Sequence, residues 1–140
     1  MAVSFAELEL AFMFVSAGAE GENQGFVDRQ SGKFYFDSDV ADIEEDEKLP
    51  ADIEDERYVE IPHRNELGLG KPLVLDFVDQ FLPDDYDEVR RIFSRKGAYA
   101  RFKGLLARRN ALQQWYDFSA KAEKEALREW CEESGIELGD

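Results

Sequence analysis

The sequence predicts an α+β domain: an N-terminal helix, a small three-stranded antiparallel sheet, and a helical C-terminal half with a long last helix. Three observations carry that prediction. Apolar residues recur at helical spacing from Phe5 to Val15 and again after Pro72, while the stretch between them alternates short extended words with Gly-rich turns. No linker of Pro, Gly or Ser separates strands from helices, so the 140 residues read as one domain, a length suited to one good core. A composition 44% hydrophobic and 13% aromatic is too apolar for global disorder, despite a net charge of −15.

Each element has its own signal. Ser4 followed by Glu7 forms a capping box, and Phe5, Leu8, Phe12 and Val15 make the apolar stripe of a first helix. Gly18, Gly21, Asn23 and Gly25 are expected to end it. Phe26 to Asp28 and Lys33 to Phe36 flank Arg29-Gln30-Ser31-Gly32 as a hairpin, with Gly32 in the left-handed position. Tyr58 to Pro62 supplies a third strand, leaving residues 37–57 as an acidic surface loop, mobile through its like charges.

Pro72 opens a second helix with Val74, Phe77, Val78 and Phe81 on one stripe, and Pro83 stops it. Asp85 with Glu88 reads as a cap for a short third helix carrying Val89, Ile92 and Phe93, which Gly97 ends. Ala98, Tyr99, Phe102, Leu105 and Leu106 define a fourth helix. Asn110 is expected to cap the last one, with Leu112, Trp115, Tyr116, Ala126, Leu127, Trp130 and Cys131 inward and Gly135 at its end.

Charge along this chain is segregated. Asp37 to Glu60 holds 12 acidic residues and 2 basic ones, whereas Arg90 to Arg109 holds 8 basic residues and none acidic. The acidic total opposes long-range attraction to nucleic acid or anionic membrane, so any polyanion must find the basic segment. Arg95, Lys96, Arg101, Lys103, Arg108 and Arg109, with Arg90 and Arg91, are the candidate contacts for a partner or for phosphate, and Tyr99 could stack on a base. The competing account is a solvated face whose cations complement the helix dipoles and pair with acidic neighbours. The acidic loop could in turn cover the basic surface, or mimic nucleic-acid charge towards a DNA-binding partner.

Motif chemistry is sparse. Counted from Asp37, an EF-hand loop needs an oxygen ligand where Ala41 stands and Gly where Asp42 stands, so no metal is expected. Gly68-Leu69-Gly70-Lys71 lacks the Gly and Ser/Thr of a phosphate loop, having Asn65 and Pro72 at those positions. The single histidine, His63, reads as a surface or edge residue, and the single cysteine, Cys131, as a small hydrophobe in the last helix. No catalytic residue and no cofactor follow from this pattern. One cysteine gives an oxidising compartment no purpose, and the run from Phe5 to Ala17 carries Glu7 and Glu9 without a basic leader, so a cytoplasmic protein is expected.

Four words in the chain, Asp28-Arg29-Gln30-Ser31-Gly32, Arg57-Tyr58-Val59-Glu60-Ile61-Pro62, Gly97-Ala98-Tyr99-Ala100-Arg101-Phe102-Lys103 and Trp130-Cys131-Glu132-Glu133-Ser134-Gly135-Ile136, resemble the uncharacterised bacterial protein family numbered 0158 in the UPF series. The resemblance covers nearly the whole chain and implies a small, soluble, bacterial, cytoplasmic protein, with no activity, cofactor or catalytic residue to carry over. The functional expectation is therefore a non-enzymatic interaction protein that docks an oppositely charged partner, a protein first and nucleic acid second, through the basic helical face and the acidic loop. The alternatives are a nucleic-acid binder using residues 90–109 and an enzyme with an unrecognised acid–base site.

Overall fold

A computed structural model describes residues 2–139. The chain forms two compact units: Met1–Leu67 together with Leu127–Asp140, and Gly68–Ala126. The first unit is discontinuous in sequence, because the chain leaves it after Leu67 and returns at Leu127.

In the first unit, helix α1 (Phe5–Ser16) starts at Ser4, whose Oγ accepts the Glu7 N–H at 3.3 Å. Its stripe of Phe5, Leu8, Ala11, Phe12 and Val15 is buried, while Leu10 and Met13 on the opposite side are 66% and 58% exposed. Strands β1 (Asn23–Asp28), β2 (Phe34–Ser38) and β3 (Tyr58–Glu60) form an antiparallel sheet in the order β2-β1-β3, with Phe26 opposite Tyr35 and Val27 opposite Val59. The predicted helix-N-terminal, three-strand and helical-C-terminal layout is what the chain adopts.

Strand β1 begins earlier than its alternation suggests. Asn23 and Gly25, expected as helix terminators, are strand residues. The buried Asn23 side chain donates to the Phe14 carbonyl at 3.1 Å and accepts from the Ser38 hydroxyl at 2.5 Å, which ties α1, β1 and β2 together. At Gly25 a Cβ would stand 2.9 Å from Val15 Cγ2, so the absence of a side chain lets α1 lie close on the sheet. The hairpin turn is held by Asp28, whose Oδ1 accepts the N–H groups of Gln30 at 2.8 Å and Ser31 at 3.3 Å, while Gly32 takes φ +79°.

The second unit holds α2 (Lys71–Phe81), α3 (Tyr86–Ile92), α4 (Ala98–Arg108) and the first part of α5 (Leu112–Glu133). Val74, Phe77, Val78, Val89, Phe102, Leu105, Leu106, Ala111 and Trp115 make its core. Trp115 is the hub, meeting Phe77 at 5.3 Å and Phe102 at 5.2 Å, both edge-on. Two residues assigned to the apolar stripes lie outside this core. Phe81 and Tyr116 are 41% and 42% exposed; Phe81 rests on Phe77 at 5.0 Å, and Lys103 lies over the Tyr116 ring at 5.8 Å.

Two capping assignments are corrected here. Asn110 does not cap α5. It sits at φ 56° after α4, where its N–H bonds to the Ala107 carbonyl at 3.2 Å and the Ala111 N–H to the Leu106 carbonyl at 2.9 Å. That is the Schellman arrangement, with Asn as the left-handed residue that terminates the preceding helix. Asp85 makes no cap bond to α3 either; its carboxylate is taken by Arg109. The end of α5 follows expectation, because Gly135 at φ +69° lets the Ile136 N–H reach the Cys131 carbonyl at 2.8 Å.

Candidate functional site

The eight basic residues between Arg90 and Arg109 all stand on the second unit, and all are exposed. Helix α3 contributes Arg90 and Arg91; Arg95 and Lys96 occupy the turn; Arg101, Lys103 and Arg108 project from α4; and Arg109 follows its last turn. Gly97 at φ +74° turns the chain between α3 and α4 and starts the fourth helix. Folding sends five of these eight cations to three different places. Arg91, Arg95 and Arg101 line one cleft of about 380 Å³, together with Glu88, Ile92 and Ser94. Lys103 lies two residues on from Arg101, roughly 200° around the helix, and engages Tyr116 instead.

Arg109 is committed elsewhere. Its Nε and Nη2 donate to Asp85 Oδ2 and Oδ1 at 3.0 and 2.9 Å, a bidentate pair, and among the described residues it alone of the eight cations makes an ion pair with a carboxylate. Those bonds, together with the charge of Arg109, hold the Asp85 carboxyl below the usual carboxylate range against the opposing effect of burial. Within the cleft, the Arg101 guanidinium donates to the Lys96 carbonyl at 2.6 Å, which fixes its head over the turn. Tyr99 is 43% exposed and packs edge-on against Phe93 at 5.0 Å. The sequence reading named Arg95, Lys96, Arg101, Lys103, Arg108 and Arg109, with Arg90 and Arg91, as candidate contacts; of these the fold brings Arg91, Arg95 and Arg101 to one cleft, Arg91 standing four residues before Arg95. That spacing was the available signal.

The acidic segment belongs to the first unit. Asp37 and Ser38 complete β2, and the chain beyond them is tied down at several points. Ser38 Oγ accepts the N–H groups of Val40 at 3.1 Å and Ala41 at 3.0 Å, Glu45–Glu47 forms a single 3-10 turn, and Lys48 bridges to Phe36. At the far end Asp52 accepts from Arg57 Nη2 at 3.2 Å and from the Tyr58 hydroxyl at 3.3 Å, while the Arg57 head stacks on the Tyr58 ring at 4.8 Å. Arg57 also faces Asp28 at 3.7 Å. Burial acts to raise the Asp28 carboxyl, but bonds from Gln30 and Ser31 and the charge of Arg57 prevail and hold it below its ordinary value.

Beside this segment lies a groove that no motif announced. It measures about 610 Å³, with Leu10, Ala11 and Phe14 of α1 on one wall and Phe34 and Phe36 of β2 on the other. Ile43 adds to the apolar lining, and Glu7, Asp42, Glu44, Asp46 and Glu47 ring it, with Lys33 as the single cation.

His63 is not a surface residue: it is 7% exposed. Its Nδ1 accepts the Asn65 N–H at 3.1 Å, which leaves Nε2 as the protonated nitrogen donating to the Gly18 carbonyl at 2.9 Å. The imidazole thus fastens the turn after α1 to the segment after β3. Cys131 is buried as expected, and burial pushes its thiol up to about 11. Among the described residues no group of three or more His, Cys, Asp or Glu could hold a metal ion, and no helix is long and apolar enough to cross a membrane.

These features define a small acidic α+β protein with two oppositely charged surfaces, one on each unit. The model of the uncharacterised protein family UPF0158 matches residues 8–139, and the chain belongs to that family. No curated protein and no solved structure matches it.

Proposed function

We propose that the protein is a non-enzymatic interaction protein that docks oppositely charged partners through the basic face of α3 and α4 and through the acidic segment. The observation that carries this reading is the cleft of Arg91, Arg95 and Arg101, three exposed guanidiniums with the single carboxylate of Glu88 among them. Guanidiniums in such a cluster suit bidentate capture of carboxylates. An acidic protein segment fits better than nucleic acid. A polynucleotide is held by a continuous cationic track, whereas Lys103 points away from Arg101 and Arg109 is spent on Asp85. The two groups most suited to chemistry support a non-catalytic role, since His63 has both ring nitrogens engaged by backbone and Cys131 is a buried, protonated thiol.

The test is a titration of the full chain against a fluorescent oligoglutamate peptide, with single-stranded and double-stranded RNA and DNA measured in parallel at low and moderate salt. The acidic peptide is expected to bind, and the triple variant Arg91→Glu, Arg95→Glu, Arg101→Glu to lose at least about tenfold in affinity, while Lys103→Glu changes it by less than about threefold. Tight nucleic-acid binding with a steep salt slope would replace the acidic-protein reading with the nucleic-acid one. Binding of neither probe at low salt would remove the basic face as a docking surface.

A further inference from the structure

The groove between α1 and β2 combines two properties that seldom meet on a surface without a partner. Its lining is apolar, and one wall carries a large aliphatic side chain left mostly in water: Leu10 is 66% exposed, with Met13 beside it on the same helix at 58%. Its rim is acidic, with Glu7 at the start of α1 and Asp42, Glu44, Asp46 and Glu47 along the facing segment. An apolar floor alone would accept many occupants. The rim selects among them, because five carboxylates against one Lys33 repel an acidic segment and attract a cationic one.

Local structure keeps this arrangement open. The Ser4 cap and the buried stripe of Phe5, Leu8 and Phe12 fix which side of α1 turns outward, so Leu10 cannot rotate into the core without exposing Phe12. Across the groove, the Ser38 turn, the 3-10 turn at Glu45–Glu47 and the Lys48 bridge to Phe36 hold the acidic segment at the edge of the sheet instead of over it.

We infer that this groove is a docking site for a basic amphipathic segment of a partner protein, which lays leucine-type or aromatic side chains on Leu10, Phe14 and Phe34 while its lysines or arginines meet Asp42, Glu44, Asp46 and Glu47. The mode is that of an amphipathic helix in a hydrophobic groove, with affinity from the apolar anchors and register and association rate from the charges. The inference rests on the reading of the acidic segment as a docking surface and is independent of the basic face.

The probe is a synthetic amphipathic helical peptide of leucine and lysine, labelled with fluorescein, against the full chain. Two control peptides are used: one of the same composition scrambled to destroy its apolar stripe, and one with every lysine replaced by glutamate. The intact peptide is expected to bind at least about tenfold more tightly than either control. Leu10→Asp is the discriminating variant. It adds a negative charge while removing the apolar anchor, and an exposed position tolerates it without unfolding. Docking on the floor predicts a loss of about tenfold or more; a purely electrostatic cushion would bind the variant equally or better, and that result overturns the inference. Glu44→Gln with Asp46→Asn and Glu47→Gln is expected to weaken binding by a similar factor and flatten its salt dependence. The Arg91→Glu, Arg95→Glu, Arg101→Glu variant should bind this peptide as well as the parent, so a failure of the basic face and a failure of the groove are told apart. A concentration-dependent dimer dissolved by Leu10→Asp would instead seat a second copy in the groove and overturn the assignment to a separate partner.

Discussion

Leu8 and Leu10 are two residues apart on α1 and identical in chemistry, yet one is fully buried and the other 66% exposed. Their truncation therefore tests whether the outer face of this helix is open. Burying a leucine completely stabilises a fold by about 1.5–3 kcal/mol relative to exposure, so the third of Leu10 that is covered represents about 0.5–1 kcal/mol. Alanine returns a few tenths through its higher helix propensity. Leu10→Ala should then cost well under about 1 kcal/mol. Leu8→Ala removes three carbons from close-packed surroundings and leaves a cavity, a change that costs about 2–5 kcal/mol. With urea slopes of about 1–3 kcal/mol per molar, the two midpoints should separate by about 1–2 M, and helix ellipticity in a urea titration reads both. Equal losses for the two variants would refute the reasoning, because they would mean that Leu10 is covered in solution and that the groove is closed before any partner arrives.

Two further outcomes follow from the geometry. Asp85 is held below the ordinary carboxylate range by Arg109, so the pair contributes stability above about pH 4 that is lost as pH falls through the folded-state value; Arg109→Gln should be less stable than the parent at neutral pH, with the gap narrowing in urea titrations below about pH 4. A gap that widens in acid would reverse the assignment. At Asn110, φ 56° favours glycine, so Asn110→Gly should leave the melting temperature unchanged or raised, whereas Asn110→Val should destabilise by about 1–2 kcal/mol; equal effects would contradict the left-handed terminus of α4.

Local signals carried the fold well wherever one residue type answers one local need. Ser4 and Glu7 marked the start of α1, Gly32 the hairpin turn, and Gly135 the end of α5, because hydrogen-bond caps and left-handed backbone are set by neighbours in the chain. The misreadings share a cause. Asp85 and Asn110 have capping chemistry, but Arg109 lies within reach of one in space and the other terminates the helix before it. Phe81 and Tyr116 fit helical stripes whose inner face turned out narrower than the apolar pattern, and His63 looked isolated because the Gly18 carbonyl that receives its proton is 45 residues away. The site was legible as charge and illegible as shape. Eight cations in twenty residues announced a basic face, but which three share a cleft depends on the α3–α4 turn. The groove could not be seen at all, since its walls come from α1, β2 and the acidic segment.

The return of the chain to the first unit has a consequence for the order of folding. Val3 donates to the Glu137 carbonyl at 2.8 Å and accepts from the Gly139 N–H at 2.9 Å, and Leu127, Cys131 and Ile136 are buried in the same unit as α1 and the sheet. A chain emerging from the ribosome makes its helix and hairpin early, but these lack part of their apolar cover until residues 127–136 arrive. The continuous stretch Gly68–Ala126 contains its own aromatic core and can close first, although it is made later. The order of synthesis and the order of consolidation are thus inverted. The N-terminal segment is the part of the chain whose apolar surface waits longest for its cover.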